Sequence, residues 1–315
     1  MVSVVRIRGR HVEFLPPEGA RALIGDFTDW ERNPIPLEGP LTLEFPEGAY
    51  VEYAFLDERG HPFPDPDNPE RADNPWWSYP RALRLPGFRY EAPPEPAKEP
   101  MVARHRRGER RFYVAETGPH PKATVVAQDG VAFYRTAGLH KVAQALYERG
   151  EIPPVRLVFV EPKDRRQEYW FNAAYEEEFH RVLEAVEGTY GALGEVVLVG
   201  ASLGGLFSLW QALRHRERFP KVLALSPALK AHPQGGDTYA DPEWLTERYA
   251  EAQHLPRIYL EVGLLEWLLG PSRRFAALLA DRKAPHAYRE RPSGHNWVTW
   301  KQALAPGLRY LLGEA

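Results

Sequence analysis

Two patterns of apolar residues divide the chain. Up to about residue 90, short segments alternate apolar and polar positions, as in residues 49–55 (AYVEYAF), and turn signals such as Pro46-Glu47-Gly48 and Glu58-Arg59-Gly60 separate them. This alternation predicts strands with one buried face. Turns at such short intervals are typical of a small all-β sandwich, which we assign to residues 1–90.

A proline-rich segment follows this region. Residues 91–100 contain four prolines, and a chain of this composition is extended and semi-rigid. We therefore predict that residues 91–100 are a linker between two domains.

From residue 101 to residue 315 the pattern changes. Apolar runs alternate with helical periodicity at residues 176–186 and 206–215. Alternating β and α elements predict an α/β fold with a mostly parallel central sheet. Several runs are continuously apolar, as expected for strands covered by helices on both faces: 112–115, 124–127, 155–160, 195–199, 222–225 and 258–262.

One motif in this second region has catalytic potential. Gly200-Ala201-Ser202-Leu203-Gly204 directly follows a predicted strand and precedes a predicted helix, which is the setting of the nucleophile elbow in α/β-hydrolases. The turn is sharp, so Gly200 and Gly204 provide space where a Cβ would collide, and we predict a strained backbone at Ser202. The Leu203 N–H, at the positive end of the helix, is predicted to bind an oxyanion.

Two other interpretations of the motif are a glycine-rich turn that only packs tightly and a turn that binds phosphate. Phosphate binding is disfavoured because Ser202 occupies the place of the second glycine in a dinucleotide-binding motif. No Walker lysine follows Gly204 either.

A serine nucleophile needs a base, and in this fold the acid and then the histidine follow it in the chain. His295 follows the last predicted strand, at the sheet edge where ligand sites lie, and is the predicted base. Glu266 follows the strand at 257–262 and would orient the imidazole. The alternatives are a helix-capping histidine, a surface glutamate, and Asp237 or Asp241 as the acid.

A second oxyanion donor is expected in the loop after an early strand. Gln128-Asp129-Gly130-Val131 follows the run at 124–127. The backbone N–H of Gly130 or of Val131 is the candidate, and a simple turn is the alternative.

Composition narrows the possible partners. The net charge of −3 gives no electrostatic support for binding nucleic acid, and the absence of cysteine excludes disulfides, a thiol nucleophile and thiolate metal sites. Neither an apolar signal segment nor a membrane-spanning run is present, so we predict a soluble, cytoplasmic protein with no membrane partner.

Asp65, Asp67 and Asp73 lack the glycine of a calcium loop, and no His-Glu-x-x-His motif occurs. We predict no metal and no cofactor.

Several motifs, taken in order, resemble those of the putative esterase (esterase D) family, most closely its enterochelin-esterase branch, over nearly the whole chain. They are Gln128-Asp129-Gly130, Arg165-Arg166-Gln167-Glu168-Tyr169, residues 199–206, residues 261–266, and Gly294-His295-Asn296-Trp297 with Trp300. The resemblance implies an α/β-hydrolase fold with Ser202, Glu266 and His295 as catalytic triad. It also implies that Arg165 and Glu168 pair to brace the active-site wall, and it makes Trp297 a supporting residue.

The N-terminal region resembles the Ig-like early-set domain of enterochelin esterases. Its Gly25-Asp26-Phe27-Thr28-Asp29-Trp30 segment is also similar to glycogen-binding-type modules. Four positions depart from the family, and the first of them is Ser293, which stands where the family often has the first Gly of a Gly-Gly-His-Asp pattern. Asn296 stands where the family often has Asp, in a Gly-Gly-His-Asp pattern, and Ala201 and Leu203 stand where the branch has Gln and Phe. The last two flank the nucleophile and would shape the substrate pocket.

Two further groups of residues stand out. Adjacent Trp76 and Trp77 cannot both face one core from a regular strand, so one is expected either to pack between domains or to stack on a substrate. A basic cluster near the linker is expected to be a solvated surface: Arg104, Arg106, Arg107, Arg110 and Arg111.

The predicted function is hydrolysis of a small-molecule carboxylic ester by Ser202, His295 and Glu266. Acyl transfer on the same triad is an alternative. A glycan-binding protein with an inactive hydrolase region is another. The sequence leaves the substrate and the oligomeric state open.

Overall fold

The computed structural model describes residues 5–235 and 243–313. The chain divides into two compact units. One comprises Met1–Glu91 together with Val262–Leu269 and Glu290–Thr299, and the other comprises Ala92–Glu261, Gly270–Arg289 and Trp300–Ala315. In the described part of the chain, no helix has the length and apolar character needed to cross a membrane.

The first unit contains two antiparallel sheets. One has the order β1-β2-β5; the other has the order β4-β3-β6-β7, and β8 also pairs with β6. Apolar side chains such as Phe14, Tyr53 and Phe55 form its core. The strands are β1 (Val5–Arg8), β2 (His11–Phe14), β3 (Ala22–Gly25), β4 (Ile35–Pro36), β5 (Leu41–Glu44), β6 (Tyr50–Leu56), β7 (Pro62–Phe63) and β8 (Arg81–Arg84).

The prediction of one buried face was wrong for β6. All seven of its residues are buried, including Glu52 at 0% exposure. Alternation of polar and apolar residues therefore did not predict exposure in β6, because the side of the strand that carries Glu52 is buried as well.

The large sheet is mostly parallel. Among the described residues its order is β16-β15-β14-β13-β11-β12-β10-β9. β11 to β15 run parallel to one another, whereas β9 and β10 form an antiparallel edge beside β12. The strands are β9 (Val102–Arg107), β10 (Arg110–Glu116), β11 (Ala123–Ala127), β12 (Val155–Val160), β13 (Glu195–Ala201), β14 (Lys221–Leu225), β15 (Arg257–Gly263) and β16 (His286–Arg291).

Helices separate the parallel strands along the chain. They are α1 (Leu139–Glu148), α2 (Arg165–Glu168), α3 (Ala173–Tyr190), α4 (Leu203–Arg214), α5 (Trp244–Glu251), α6 (Leu269–Asp281) and α7 (Trp297–Leu312). Helix α3 shows why such segments are helical. The Asn172 side chain accepts hydrogen bonds from the N–H groups of Ala174 and Tyr175 and so caps its first turn. Its buried residues recur at helical spacing and pack into the core.

The α/β prediction is confirmed, since a strand covers each of the six predicted runs and helices cover both predicted helical segments except His215, which follows the end of α4. Strand β9 was missed because arginines mask its pattern. The predicted solvated basic cluster holds for Arg104, Arg106, Arg107 and Arg111, which are exposed, but not for Arg110, which is 1% exposed. The predicted domain limits remain a prediction.

Candidate active site

Ser202 occupies a strained turn between β13 and α4. Its backbone has φ 55° and ψ −120°, in the region that a residue with a Cβ rarely adopts. The Ser202 N–H donates to the Leu225 carbonyl at 2.9 Å, and the Ser202 carbonyl accepts from Ala228 at 3.0 Å. The strained turn predicted from the sequence is confirmed.

The glycines around the serine lie where neighbouring atoms approach closely, and Gly200 has no space for a Cβ. A Cβ on Gly200 would collide with the backbone of Gly204, and one on Gly205 would lie 3.2 Å from Pro227. A Cβ on Gly204 would lie 3.2 Å from the Gln128 side chain and 3.3 Å from Asp129 Oδ2. The amino end of α4 therefore packs directly on the loop that follows β11.

This loop contains the proposed second oxyanion donor. Gly130 packs so closely on β12 that a Cβ would lie 2.6 Å from the Phe159 carbonyl carbon. The Val131 N–H donates to Glu161 Oε2 at 2.7 Å. A donor bound to a carboxylate is not available for an oxyanion, so the candidate at Val131 is withdrawn and Gly130 is kept. Burial raises the pKa of the Glu161 carboxyl.

Arg165 and Glu168 do not form the direct pair that the resemblance implied. Arg165 binds Asp129 through two hydrogen bonds of 3.0 Å. Glu168 accepts two hydrogen bonds of 2.8 Å from Arg110. The two residues form two separate ion pairs, and their role in bracing the active-site wall stays a prediction. The partners were missed because they are distant in sequence.

Glu266 and His295 form a hydrogen-bonded pair in the first unit. Glu266 Oε2 lies 2.8 Å from His295 Nδ1, and Glu266 Oε1 accepts from the Gly263 N–H at 2.8 Å. The Glu266 side chain is fully buried and that of His295 is 12% exposed. The structure therefore brings together the predicted acid and base. The meeting of Ser202 with this pair stays a prediction, and Asp237 and Asp241 lie outside the described residues.

One aromatic ring packs beside the histidine, and further aromatic pairs lie in the same unit. The Trp267 ring lies 4.7 Å from the His295 ring, and buried Trp297 lies 5.4 Å from Trp76. Trp77 stacks on Tyr79 and also contacts Trp30. Trp76 and Trp77 are 42% and 40% exposed.

Asp26 is a residue near the histidine that sequence reasoning missed. Its Oδ2 accepts from the Glu52 N–H at 2.8 Å and from Asn296 Nδ2 at 2.9 Å. Burial raises its pKa from 3.8 to about 7, and the charge of Glu266 adds to the effect. The only sequence signal was its place in the Gly25–Trp30 motif, which gave no indication of a contact with residue 296.

One cluster has the residue types of a metal site. Ligand atoms of Glu176, His180 and His215 lie within 4.8 Å of one another. Arg214 donates to Glu176 at 3.1 Å, and Arg218 lies 2.7 Å from His180 Nδ1. Two guanidinium groups already provide the positive charge, so the arrangement is an ion-paired network.

The parallel sheet with a strained serine turn after β13 defines an α/β-hydrolase fold, with an N-terminal β-rich region. The chain belongs to the putative esterase family, whose model matches residues 110–311.

Comparison with individual proteins agrees with this assignment. The chain is 27% identical to the iron(III) enterobactin esterase of Escherichia coli over 263 residues, 79% of this chain and 63% of that protein. The enterobactin esterase of Shigella flexneri, crystallised in the presence of enterobactin, has a TM-score of 0.72 at 21% identity and is matched over 95% of this chain and 92% of that one. The ferric enterobactin esterase of Salmonella typhimurium has a TM-score of 0.72 at 18% identity and is matched over 95% of this chain and 93% of that one. These structural likenesses concern the fold.

Proposed function

We propose that this protein is a serine esterase that hydrolyses carboxylic esters, with Ser202 as nucleophile, His295 as general base and Glu266 as the acid that orients it. The observation that carries the proposal is the strained turn at Ser202, at the amino end of α4. Backbone strain persists where the surrounding structure holds it in place, and such positions cluster at active sites.

The hydrogen bond between Glu266 and His295 supports the assignment of the base. With Nδ1 bonded to a carboxylate, the neutral imidazole carries its proton on Nδ1 and presents the lone pair of Nε2. Nε2 is then the atom that takes the serine proton. The buried carboxylate stabilises the imidazolium that results.

The reaction follows from these roles. Ser202 Oγ forms a bond to the ester carbonyl carbon while His295 Nε2 accepts its proton. When the tetrahedral intermediate collapses, the bond to the leaving alcohol breaks and the alcohol oxygen takes that proton. Water, deprotonated by the same nitrogen, then attacks the acyl-serine. The bond between the acyl carbon and Ser202 Oγ breaks, Oγ takes the proton from Nε2, and the carboxylic acid leaves.

The proposed oxyanion donors are the backbone N–H groups of Leu203 and Gly130. Leu203 begins α4, where the first N–H groups have no partner within the helix. The contact of Gly204 with Gln128 and Asp129 supports a position of Gly130 beside the turn. Both donors would stabilise the negative charge that develops on the carbonyl oxygen.

The substrate is proposed as a small-molecule ester of the kind that the named relatives act on. Enterobactin is the first ester to test, alongside simple aryl esters, because Ala201 and Leu203 differ from the enterochelin branch beside the nucleophile. Product analysis with an added alcohol distinguishes hydrolysis from acyl transfer to that alcohol.

A fluorophosphonate probe tests the nucleophile. We expect covalent labelling of the wild-type protein, none of Ser202→Ala, and normal labelling of Ser208→Ala. Ser208 is a suitable control because it is a buried serine on the same helix, bonded to the Gly204 carbonyl at 2.8 Å. Equal labelling of Ser202→Ala and the wild type, or no labelling of the wild type, would contradict the proposal.

A further inference from the structure

We propose that Asp26, in the N-terminal β-rich region, is a positioning residue for the general base, because it holds the two residues that flank His295. The inference rests on the proposed esterase function and adds a residue far from the triad in sequence. It follows from contacts on both sides of the histidine.

The first contact is a hydrogen bond on the C-terminal side of the histidine. Asn296 Nδ2 donates to Asp26 Oδ2 at 2.9 Å, and both side chains are buried. The side-chain carbonyl oxygen of Asn296 accepts from the Thr299 N–H at 2.9 Å and so caps α7. The Asn296 side chain therefore joins the start of α7 to Asp26.

The second contact is steric and lies on the N-terminal side. A Cβ on Gly294 would collide with the Cβ and Cγ atoms of Asp26. Only a glycine lets the backbone rest against this side chain. Because residues 294 and 296 both rest on Asp26, the backbone of His295 has little freedom to shift.

Asp26 is itself held rigidly. Its N–H donates to the Glu52 carbonyl at 3.0 Å, and its Oδ2 accepts from the Glu52 N–H at 2.8 Å. Thr28 closes the turn by accepting from the Gly25 N–H at 3.0 Å, and a Cβ on Gly25 would collide with the Glu52 carbonyl. The carboxylate is therefore anchored to the central strand β6.

The loop that carries His295 (residues 292–296, between β16 and α7, here called the histidine loop) is also tied to the segment that carries Glu266. The Leu265 N–H donates to the Ser293 carbonyl at 3.0 Å, and a Cβ on Gly263 would collide with that carbonyl. The loop thus has two supports. One sets the distance to Glu266, and Asp26 fixes the backbone on each side of the imidazole.

The test compares Asp26→Ala, Asp26→Asn and a matched control, Asp65→Ala. Asp65 is equally buried in the same unit, where it accepts from the Tyr53 hydroxyl at 2.5 Å and from the Asp67 N–H at 2.9 Å. We measure kcat and KM with an aryl ester, the rate of fluorophosphonate labelling, and the melting temperature.

We expect Asp26→Ala to lower kcat by about 10- to 100-fold, because small misplacements of catalytic groups have effects of this size. The labelling rate should fall in parallel and KM should change little. Asp26→Asn keeps an acceptor oxygen for Asn296 and should recover most of the lost kcat. Asp65→Ala should lower the melting temperature without a comparable loss of kcat.

If Asp26→Ala does not fold, Asn296→Asp takes its place. This variant keeps the cap of α7 but sets a second carboxylate against Asp26, so kcat should fall. Adding Asp26→Asn restores a donor opposite that carboxylate and should recover part of the loss.

Two outcomes overturn the inference. One is unchanged kcat and labelling in folded Asp26→Ala, or in folded Asn296→Asp where the alanine variant does not fold. The other is an equal loss of kcat in Asp26→Ala and Asp65→Ala. Failure of the proposed function is distinct, since the wild-type protein would then not be labelled, or would be labelled no more than Ser202→Ala.

Discussion

Individual residues at the candidate site have identities that their surroundings require. Ser202 has φ 55°, which costs conformational energy for any side chain other than glycine. Gly200 and Gly294 lie where a Cβ would overlap neighbouring atoms. Asn296 matches its partner in the same way, because an amide can donate to Asp26 whereas an aspartate at that position would repel it.

Replacement of Glu266 by glutamine tests the orienting role of the carboxylate. The glutamine amide presents a donor where the carboxylate accepts from both His295 and the Gly263 N–H, so the imidazole would be held in the wrong tautomer. We expect kcat to fall by about 10³- to 10⁴-fold with little change in KM. Steady-state kinetics with an aryl ester measure the effect.

Glu261→Gln is the control for this prediction. Glu261 is also buried, lies within β15, the strand that precedes Glu266, and accepts from the Tyr259 hydroxyl at 2.7 Å, which a glutamine oxygen can still do. A loss of kcat in Glu261→Gln as large as that in Glu266→Gln would show that Glu266 is not the orienting acid.

At the scale of elements, the parallel strands were predictable because each is short, apolar and followed by helical periodicity. Strand β9 was not, since its Val102–Arg107 sequence is rich in arginine, and an antiparallel hairpin with β10 holds it in the sheet. The burial of Arg110 could not be predicted from the sequence either. Its partners Glu168 and Glu178 lie 58 and 68 residues further along the chain, and no local pattern reveals them.

The Arg110 cluster joins β10 to α2 and α3, and Arg110→Met tests its contribution. The variant leaves Glu168 and Glu178 without their shared cation, so we expect the free energy of unfolding to fall by about 3–5 kcal/mol. Urea unfolding at neutral pH measures this. Hydrogen bonding to Arg110 lowers the pKa of Glu178, so the loss should shrink as the pH falls and that carboxyl becomes protonated in both states.

Lys163→Met is the matched control for Arg110. Lys163 lies 3.7 Å from Glu178 and its side chain is 44% exposed, so its removal should cost less than about 1 kcal/mol. Equal losses in the two variants would mean that burial of the Arg110 cluster does not determine its stabilising effect.

At the scale of the whole molecule, contacts between distant parts of the chain were beyond the reach of sequence patterns. The Gly-x-Ser-x-Gly motif, the chain order of serine, acid and histidine, and the places of the last two after predicted strands led to the prediction of Ser202, Glu266 and His295, because that order is a property of the fold. The contact between Asp26 and Asn296 spans 270 residues. It depends on the first unit combining the N-terminal strands with two segments from the end of the chain.

The buried acids of the first unit make its stability depend on pH. Burial raises the pKa of both Asp26 and Glu52, which lie close together and repel each other when both are charged. The folded state therefore holds protons that the unfolded chain releases near pH 4. It follows that the free energy of unfolding falls as the pH rises from about 4 towards 7 and beyond.

Glu52→Gln removes one of these two charges and tests the sign of the effect. We expect its melting temperature to exceed that of the wild type at pH 8, by a few degrees, and the difference to vanish near pH 4.

Asp57→Asn is the control, because a hydrogen bond from the His61 N–H lowers the pKa of this exposed carboxyl. The pH dependence expected for Asp57 has the opposite sign, because any stability that Asp57 contributes is present above its ordinary pKa and disappears on acidification. Melting curves from pH 4 to pH 8 that keep a constant offset between Glu52→Gln and the wild type would show that Glu52 carries no pH-dependent strain.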